Sequence, residues 1–102
     1  MQTPDFDASE FEAFQWDESK RLSNIERHGI DFRDLGRFFA APNLIWRSDR
    51  KSEIRWVAIG ILNERVISVV FTQRNHFCRI ISARRARQKE RTAYRALYAG
   101  GA

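Results

Sequence analysis

From residue 43 onward the apolar positions form short runs and alternations of strand length, whereas before it they fall at helical spacing. Residues 43–47, 53–62, 66–72 and 77–83 read as four strands, separated by turns at 48–52, at Asn63 with Glu64, and at 73–76. Strands so close in sequence pair antiparallel, as a meander. Residues 57–62 and 66–71 are almost continuously apolar, which predicts central strands covered on both faces. Ahead of them, residues 14–16 make a short strand, and Asp17 caps a helix that runs to about His28 with Leu22 and Ile25 as its apolar side. Gly29 ends that helix by taking the left-handed conformation. Asp31 caps a second helix, with Asp34 in its first turn, Ile30 stapled to Leu35, and Phe38 and Phe39 buried before Ala41 and Pro42 stop it. The pattern predicts an α+β fold: an antiparallel sheet of about four strands, two N-terminal helices and one C-terminal helix.

Charge divides the chain. Residues 1–18 hold Asp5, Asp7, Glu10, Glu12, Asp17 and Glu18 and no base, so all 18 Lys and Arg residues lie beyond them against the remaining 7 of 13 carboxylates. A body that basic selects nucleic acid or an acidic protein as partner. Residues 1–13, with Phe6 and Phe11 their only large apolar side chains, read as an acidic flexible leader, and residues 14–102 as a single domain. The one cysteine, Cys78, lies in a strand pattern and reads as a buried hydrophobe. His28 and His76 stand far apart with no Cys or second His at ligand spacing, so neither a metal nor another cofactor is expected. No signal segment or long apolar run is present, which predicts a cytoplasmic protein without a membrane contact.

The densest chemistry is at residues 78–97, where a strand pattern passes without Pro or Gly into a basic helix pattern. Counted from Arg84 at helical spacing, Arg87, Arg91 and Arg95 share one arc, and Ala86, Ala93, Tyr94 and Leu97 fall opposite. One side would pack and the other would meet anions, since guanidinium groups stay charged and pair bidentately with phosphate oxygens.

Trp16, Asp17, Lys20, Asn24, His28 and Gly29, then Phe32, then Arg55, Trp56, Ile59 and Gly60, then the run of residues 79–84, with Lys89, Glu90, Arg91 and Tyr94, form a signature that resembles the BrnT family. The resemblance runs in order from about Phe14 to Tyr98. It implies a RelE-like fold and a ribonuclease toxin of a type II toxin-antitoxin system, which cleaves RNA and inhibits translation. It also implies a BrnA-type antitoxin partner, carrying a DNA-binding dimerisation module through which the pair reaches operator DNA. Three features depart from the family pattern: the acidic leader, Glu64 where Gly is common, and the short turn at 73–76.

Metal-free RNA cleavage needs a base for the ribose 2′-hydroxyl and positive charge for the phosphorane-like transition state. Arg55, Arg79 and Arg84, at positions matching the family motif, are the candidates for phosphate binding and transition-state stabilisation. Glu53 opens the strand that carries Arg55 two residues later on the same face, which suits a general base or a plain ion pair. Arg79 and Arg84 are an odd number of residues apart, so in a regular strand they point to opposite faces, and they converge only if the strand ends near Ser82. Glu90 falls on the apolar side of the helix, where a neighbouring Arg would hold it. Arg85, Arg87, Lys89 and Arg91 are expected to contact the RNA backbone. His28 suits acid-base chemistry by type and a helix C-cap by position. Trp46 and Trp56 are able to stack bases, although strand positions favour packing. The alternative to an enzyme is a basic module of the same fold that grips nucleic acid or a partner without cleaving. In either case an acidic leader folded over the arginines would act as an internal inhibitor.

Overall fold

The sheet has five strands, and the additional one comes from the start of the chain. In the computed structural model, which describes residues 4–99, the elements in order are β1 (Ala13–Gln15), α1 (Glu18–His28), α2 (Leu35–Ala40), β2 (Leu44–Arg47), β3 (Trp56–Leu62), β4 (Arg65–Arg74), β5 (Phe77–Arg85) and α3 (Gln88–Tyr94). Their spatial order is β1-β5-β4-β3-β2. Strands β2 to β5 form the expected antiparallel meander, but β1 lies parallel to β5, with Ala13 opposite Phe77 and Gln15 opposite Arg79. The expected four-stranded antiparallel sheet is therefore a mixed five-stranded one. A three-residue strand carries too little pattern to disclose its partner; here Phe14 fixes it, stacked on Phe39 with ring centroids 5.7 Å apart.

Two tight turns set the register of β3. Asn63 and Glu64 both have positive φ, 52° and 68°, so the β3–β4 hairpin closes through a two-residue type I′ turn without glycine. Lys51 and Ser52 take the same conformation, and Arg50 and Glu53 bond across them at 3.0 and 2.9 Å. The regular strand predicted at 53–62 is Trp56–Leu62, while Glu53 sits at the tip of the β2–β3 hairpin, bridged to Arg50 in the same register.

The first face of the sheet bears the larger core. Trp56, Ala58, Ile67, Val69, Phe71, Cys78 and Ile80 meet Phe32, Leu35, Phe38 and Phe39 there. Gly60 lets Phe38 lie against β3, since a Cβ at that position would stand 2.8 Å from the ring. The segment expected as a flexible leader joins this core. Ala8 is buried, Phe6 meets Trp56 edge-on at 5.2 Å, and Phe11 meets Phe39 at 5.6 Å. Its carboxylates Asp5, Asp7, Glu10 and Glu12 remain exposed, so the aromatic area docks while the charge stays in water.

Helix α1 starts and stops as the sequence predicts, with Asp17 accepting from Ser19 N at 2.9 Å and Gly29 at φ 70°. Its inward side differs from expectation: Leu22 is exposed, while Arg21 and Asn24 are buried. Arg21 bonds Glu18 at 2.6 Å and Asp31 at 3.1 Å. Asn24 donates to Ile30 O at 2.9 Å and accepts from Ala83 N at 3.0 Å. Because β1 ends at the level of Arg79, the outer edge of β5 beyond it has no strand partner, and the Asn24 carboxamide pairs Ala83 in its place.

The basic stripe expected on the C-terminal helix is broken up. The helix begins at Gln88, so Arg84 and Arg85 stay in β5, and Arg91 turns inward to the Ala86 carbonyl at 2.6 Å. Tyr94 packs against the second face, whereas Ala93 and Leu97 are exposed; the helix continues as a π-helical turn at Arg95–Ala99 that is wider than the assumed spacing. Among the described residues no helix is long and apolar enough to cross a membrane.

Two predictions concern stability. Arg33 and Arg21 hold the Asp31 carboxyl at about 2, and Arg21 with the Trp16 indole holds Glu18 at about 2. Both values lie below those of an unfolded chain, about 4. Their stabilisation is therefore complete above about pH 4.5 and is lost as pH falls towards 2. The thermal midpoint of the wild type should drop across that window, and Arg21→Met should flatten the drop. Asn24→Ala leaves the Ile30 carbonyl and the Ala83 amide unpaired in the interior, and should lower unfolding free energy by about 2–4 kcal/mol in urea titrations.

Candidate active site

A single extra residue in β5 brings the two motif arginines to one side. Val70 pairs with Ser82 and Phe71 with Ile80, so Ile81 is a β-bulge. The bulge corrects the parity that would separate Arg79 from Arg84, and both project from the second face, Arg79 opposite Thr72 and Arg84 opposite Ser68. The strand need not end at Ser82; it runs on to Arg85.

Cross-strand register orders this face in rows. Arg55 precedes β3, and its carbonyl accepts from Ser48 N at 2.8 Å, so the ladder continues past the strand end. Alternation then sets Arg55 in line with Thr72 and Arg79, two strand spacings or roughly 10 Å from Arg79. The next row is Trp46, Val57, Val70 and Ser82, and the one after is Leu44, Ile59, Ser68 and Arg84. Arg79 and Arg84 thus lie about 13 Å apart along the strands.

The candidate residues fall into distinct environments. Arg79 is half-buried and makes no hydrogen bond or ion pair among the described residues. Glu53 and Arg55 are paired, with Arg55 Nε 2.6 Å from Glu53 Oε1, and with Arg50 and Lys51 they line an open depression of about 450 Å³. Arg84 instead holds Glu90 through two bonds of 2.8 and 3.0 Å, and Glu90 also accepts from Arg87 N at 2.7 Å. Burial alone would raise the Glu90 carboxyl; Arg84 and the Arg87 amide outweigh it and hold the carboxyl below its ordinary value. Arg84 therefore anchors the start of α3.

Of the residues expected to contact RNA backbone, Arg87 and Lys89 are exposed at the start of α3. Arg91 is committed to Ala86 O, and Arg85 pairs with Ile67, pointing to the first face beside His28 and Arg65. The described part of the leader packs on that first face too, through Phe6, Ala8 and Phe11, and not over Arg79. Trp56 is buried in the larger core, while Trp46 is half-buried on the second face. Sequence reading passed over Ser68 and Thr72. Their hydroxyls are buried without partners among the described residues, facing Arg84 and Arg79. Two hydroxyl residues flanking a strongly apolar run were the available signal. Burial pushes the Cys78 thiol up and leaves it inert.

The second sheet face, with Arg79 uncommitted among the described residues, the Glu53–Arg55 pair and adjoining apolar surface, is the candidate site of a small α+β protein. Residues 16–90 match the family described as ribonuclease toxin BrnT of type II toxin-antitoxin systems, and the chain belongs to that family. The crystal structure of the Brucella abortus ribonuclease toxin BrnT is similar to it at 37% identity and a TM-score of 0.59, over 74% of this chain and 97% of that one. No curated protein matches the chain.

The two motif arginines should separate in stability measurements. Arg79→Ala should stay within about 0.5 kcal/mol of the wild type. Arg84→Ala strips Glu90, only 14% exposed at its side chain, of its cation and should be destabilising by about 1–3 kcal/mol in chemical denaturation.

Proposed function

We propose that the protein is a metal-independent endoribonuclease that acts in the cytoplasm and inhibits translation by cleaving RNA. The observation that carries this reading is the row of Arg55 and Arg79 on one sheet face, with Arg79 uncommitted to any described residue and Glu53 held beside Arg55. An RNA phosphodiester seated between the two guanidiniums places its charge where the transition state gains more. Glu53 takes the proton of the 2′-hydroxyl as that oxygen attacks phosphorus. The bond from phosphorus to the 5′-oxygen breaks, and the leaving oxygen takes a proton from water. The products are a 2′,3′-cyclic phosphate and a free 5′-hydroxyl. Arg84 acts through α3 rather than on the phosphate, and Arg87 and Lys89 steer the RNA backbone towards the face.

A BrnA-type antitoxin silences this activity by covering the face, and its DNA-binding dimerisation module brings the pair to operator DNA. The alternative, a binding module without cleavage, is favoured by one observation: Glu53 and Arg84 both already sit in ion pairs.

The purified protein should fragment total RNA in excess EDTA, leaving cyclic phosphate ends. Arg79→Ala should lower kcat/KM roughly 10²–10³-fold with the fold intact, and induced expression should arrest growth for the wild type only. Binding without fragmentation would instead select the non-catalytic module, and fragmentation abolished by EDTA would overturn metal independence.

A further inference from the structure

Resting on the ribonuclease reading, we infer that Trp46 is the platform on which a base of single-stranded RNA stacks, fixing which nucleotide lies beside the Arg55–Arg79 row. Of the three tryptophans, Trp56 is buried in the first-face core and Trp16 packs beside Phe32. Trp46 belongs to the second face, opposite Val57 in the row between the two arginine rows. It is a diagonal neighbour of Arg55, which puts their backbones about 7–8 Å apart.

Trp46 borders the small cluster of Val57, Ile59 and Tyr94 beneath α3 without being buried by it. Tyr94 and Tyr98 bond to the carbonyls of Pro42 and Asn43 at 3.2 and 2.7 Å, which ties the helix to the start of β2. Over the neighbouring row Trp46, Val70 and Ser82 remain half-exposed, although Val57 beneath is buried. An aromatic surface held rigid by a strand, with Arg55 as its diagonal neighbour and Arg79 further along the same row as Arg55, meets both needs of a nucleotide chain: a flat partner for a base and cations for the phosphates beside it. An apolar protein segment would gain nothing from the unpaired Arg79, so charge complementarity selects a polyanion.

The test is a titration with a short single-stranded oligoribonucleotide made uncleavable by 2′-O-methylation, followed by tryptophan fluorescence and by anisotropy of a labelled strand. Wild-type emission should be quenched, and Trp46→Phe should lose the quenching while binding more tightly than Trp46→Leu, because phenylalanine still stacks. Trp46→Leu should weaken binding roughly ten-fold or more. It should do so by the same factor at every salt concentration, whereas Arg79→Ala should reduce the salt slope by about one. Thermal midpoints of both Trp46 variants separate lost stacking from lost fold. Quenching that persists in Trp46→Phe, or a folded Trp46→Leu that binds and cleaves as the wild type does, would overturn the inference and leave the ribonuclease reading standing. Quenching by Trp46 without any cleavage of natural RNA would sink the ribonuclease reading alone. Absence of oligonucleotide binding by the wild type would end the stacking proposal.

Discussion

The carboxamide of Asn24 fixes the relation between the helical layer and the sheet. It is buried and bonds the Ile30 carbonyl on one side and the Ala83 amide on the other, joining α1, the entry to α2 and the outer edge of β5. Ala83 lies two residues beyond the bulged Ile81 and one before Arg84. The bond that closes an exposed sheet edge therefore also holds the stretch of backbone that decides which way the arginines point. A buried amide used this way gives little net stability when intact, but its loss leaves two backbone groups without water or partner.

The sheet divides labour between its faces. The first is nearly all aromatic and aliphatic and is sealed by α2 and by Phe6, Ala8 and Phe11. The second keeps a smaller apolar cluster under Tyr94, with Trp46 at its border, and leaves its far half to Arg55, Thr72 and Arg79. Glu90 links the two regimes. Its pairing with Arg84 and the Arg87 amide docks α3 over one end of the face and neutralises Arg84, so of the two motif arginines on that face Arg79 alone stays uncommitted among the described residues.

Much of this was legible in the sequence. The cap at Asp17, the stop at Gly29, the meander and the buried Phe38 and Phe39 follow from local chemistry and periodicity, whereas Asp31 caps a 3-10 turn, Phe32–Asp34, that leads into α2 rather than α2 itself. The partner of β1 and the docking of the leader were not legible, because Phe6 and Phe11 gain their contacts from Trp56, Phe39 and Phe71, far along the chain. The inward side of α1 was misread for a related reason: Arg21 and Asn24 are buried through specific bonds that hydropathy does not weigh, and Leu22 is left outside. In the site, the residue types were readable and their grouping was not. Parity along β5 gave the wrong faces for Arg79 and Arg84 until one extra residue shifted it, and no signal in the run of residues 79–84 marks where a strand bulges.

The parallel pairing of β1 with β5 bears on how the chain reaches this state. Ala13 and Gln15 find their strand partners only at Phe77 and Arg79, and Phe6 finds Phe71, so although Phe11 and Phe14 can meet Phe39 early, β1 has no sheet to join until most of the chain has been synthesised. Closing so long a loop carries an entropic penalty that the hairpin β3–β4 does not share, and the meander can assemble first. Folding on the ribosome would then run backwards relative to synthesis, the middle forming before the beginning, and the strand bearing Arg79 would acquire its outer neighbour last.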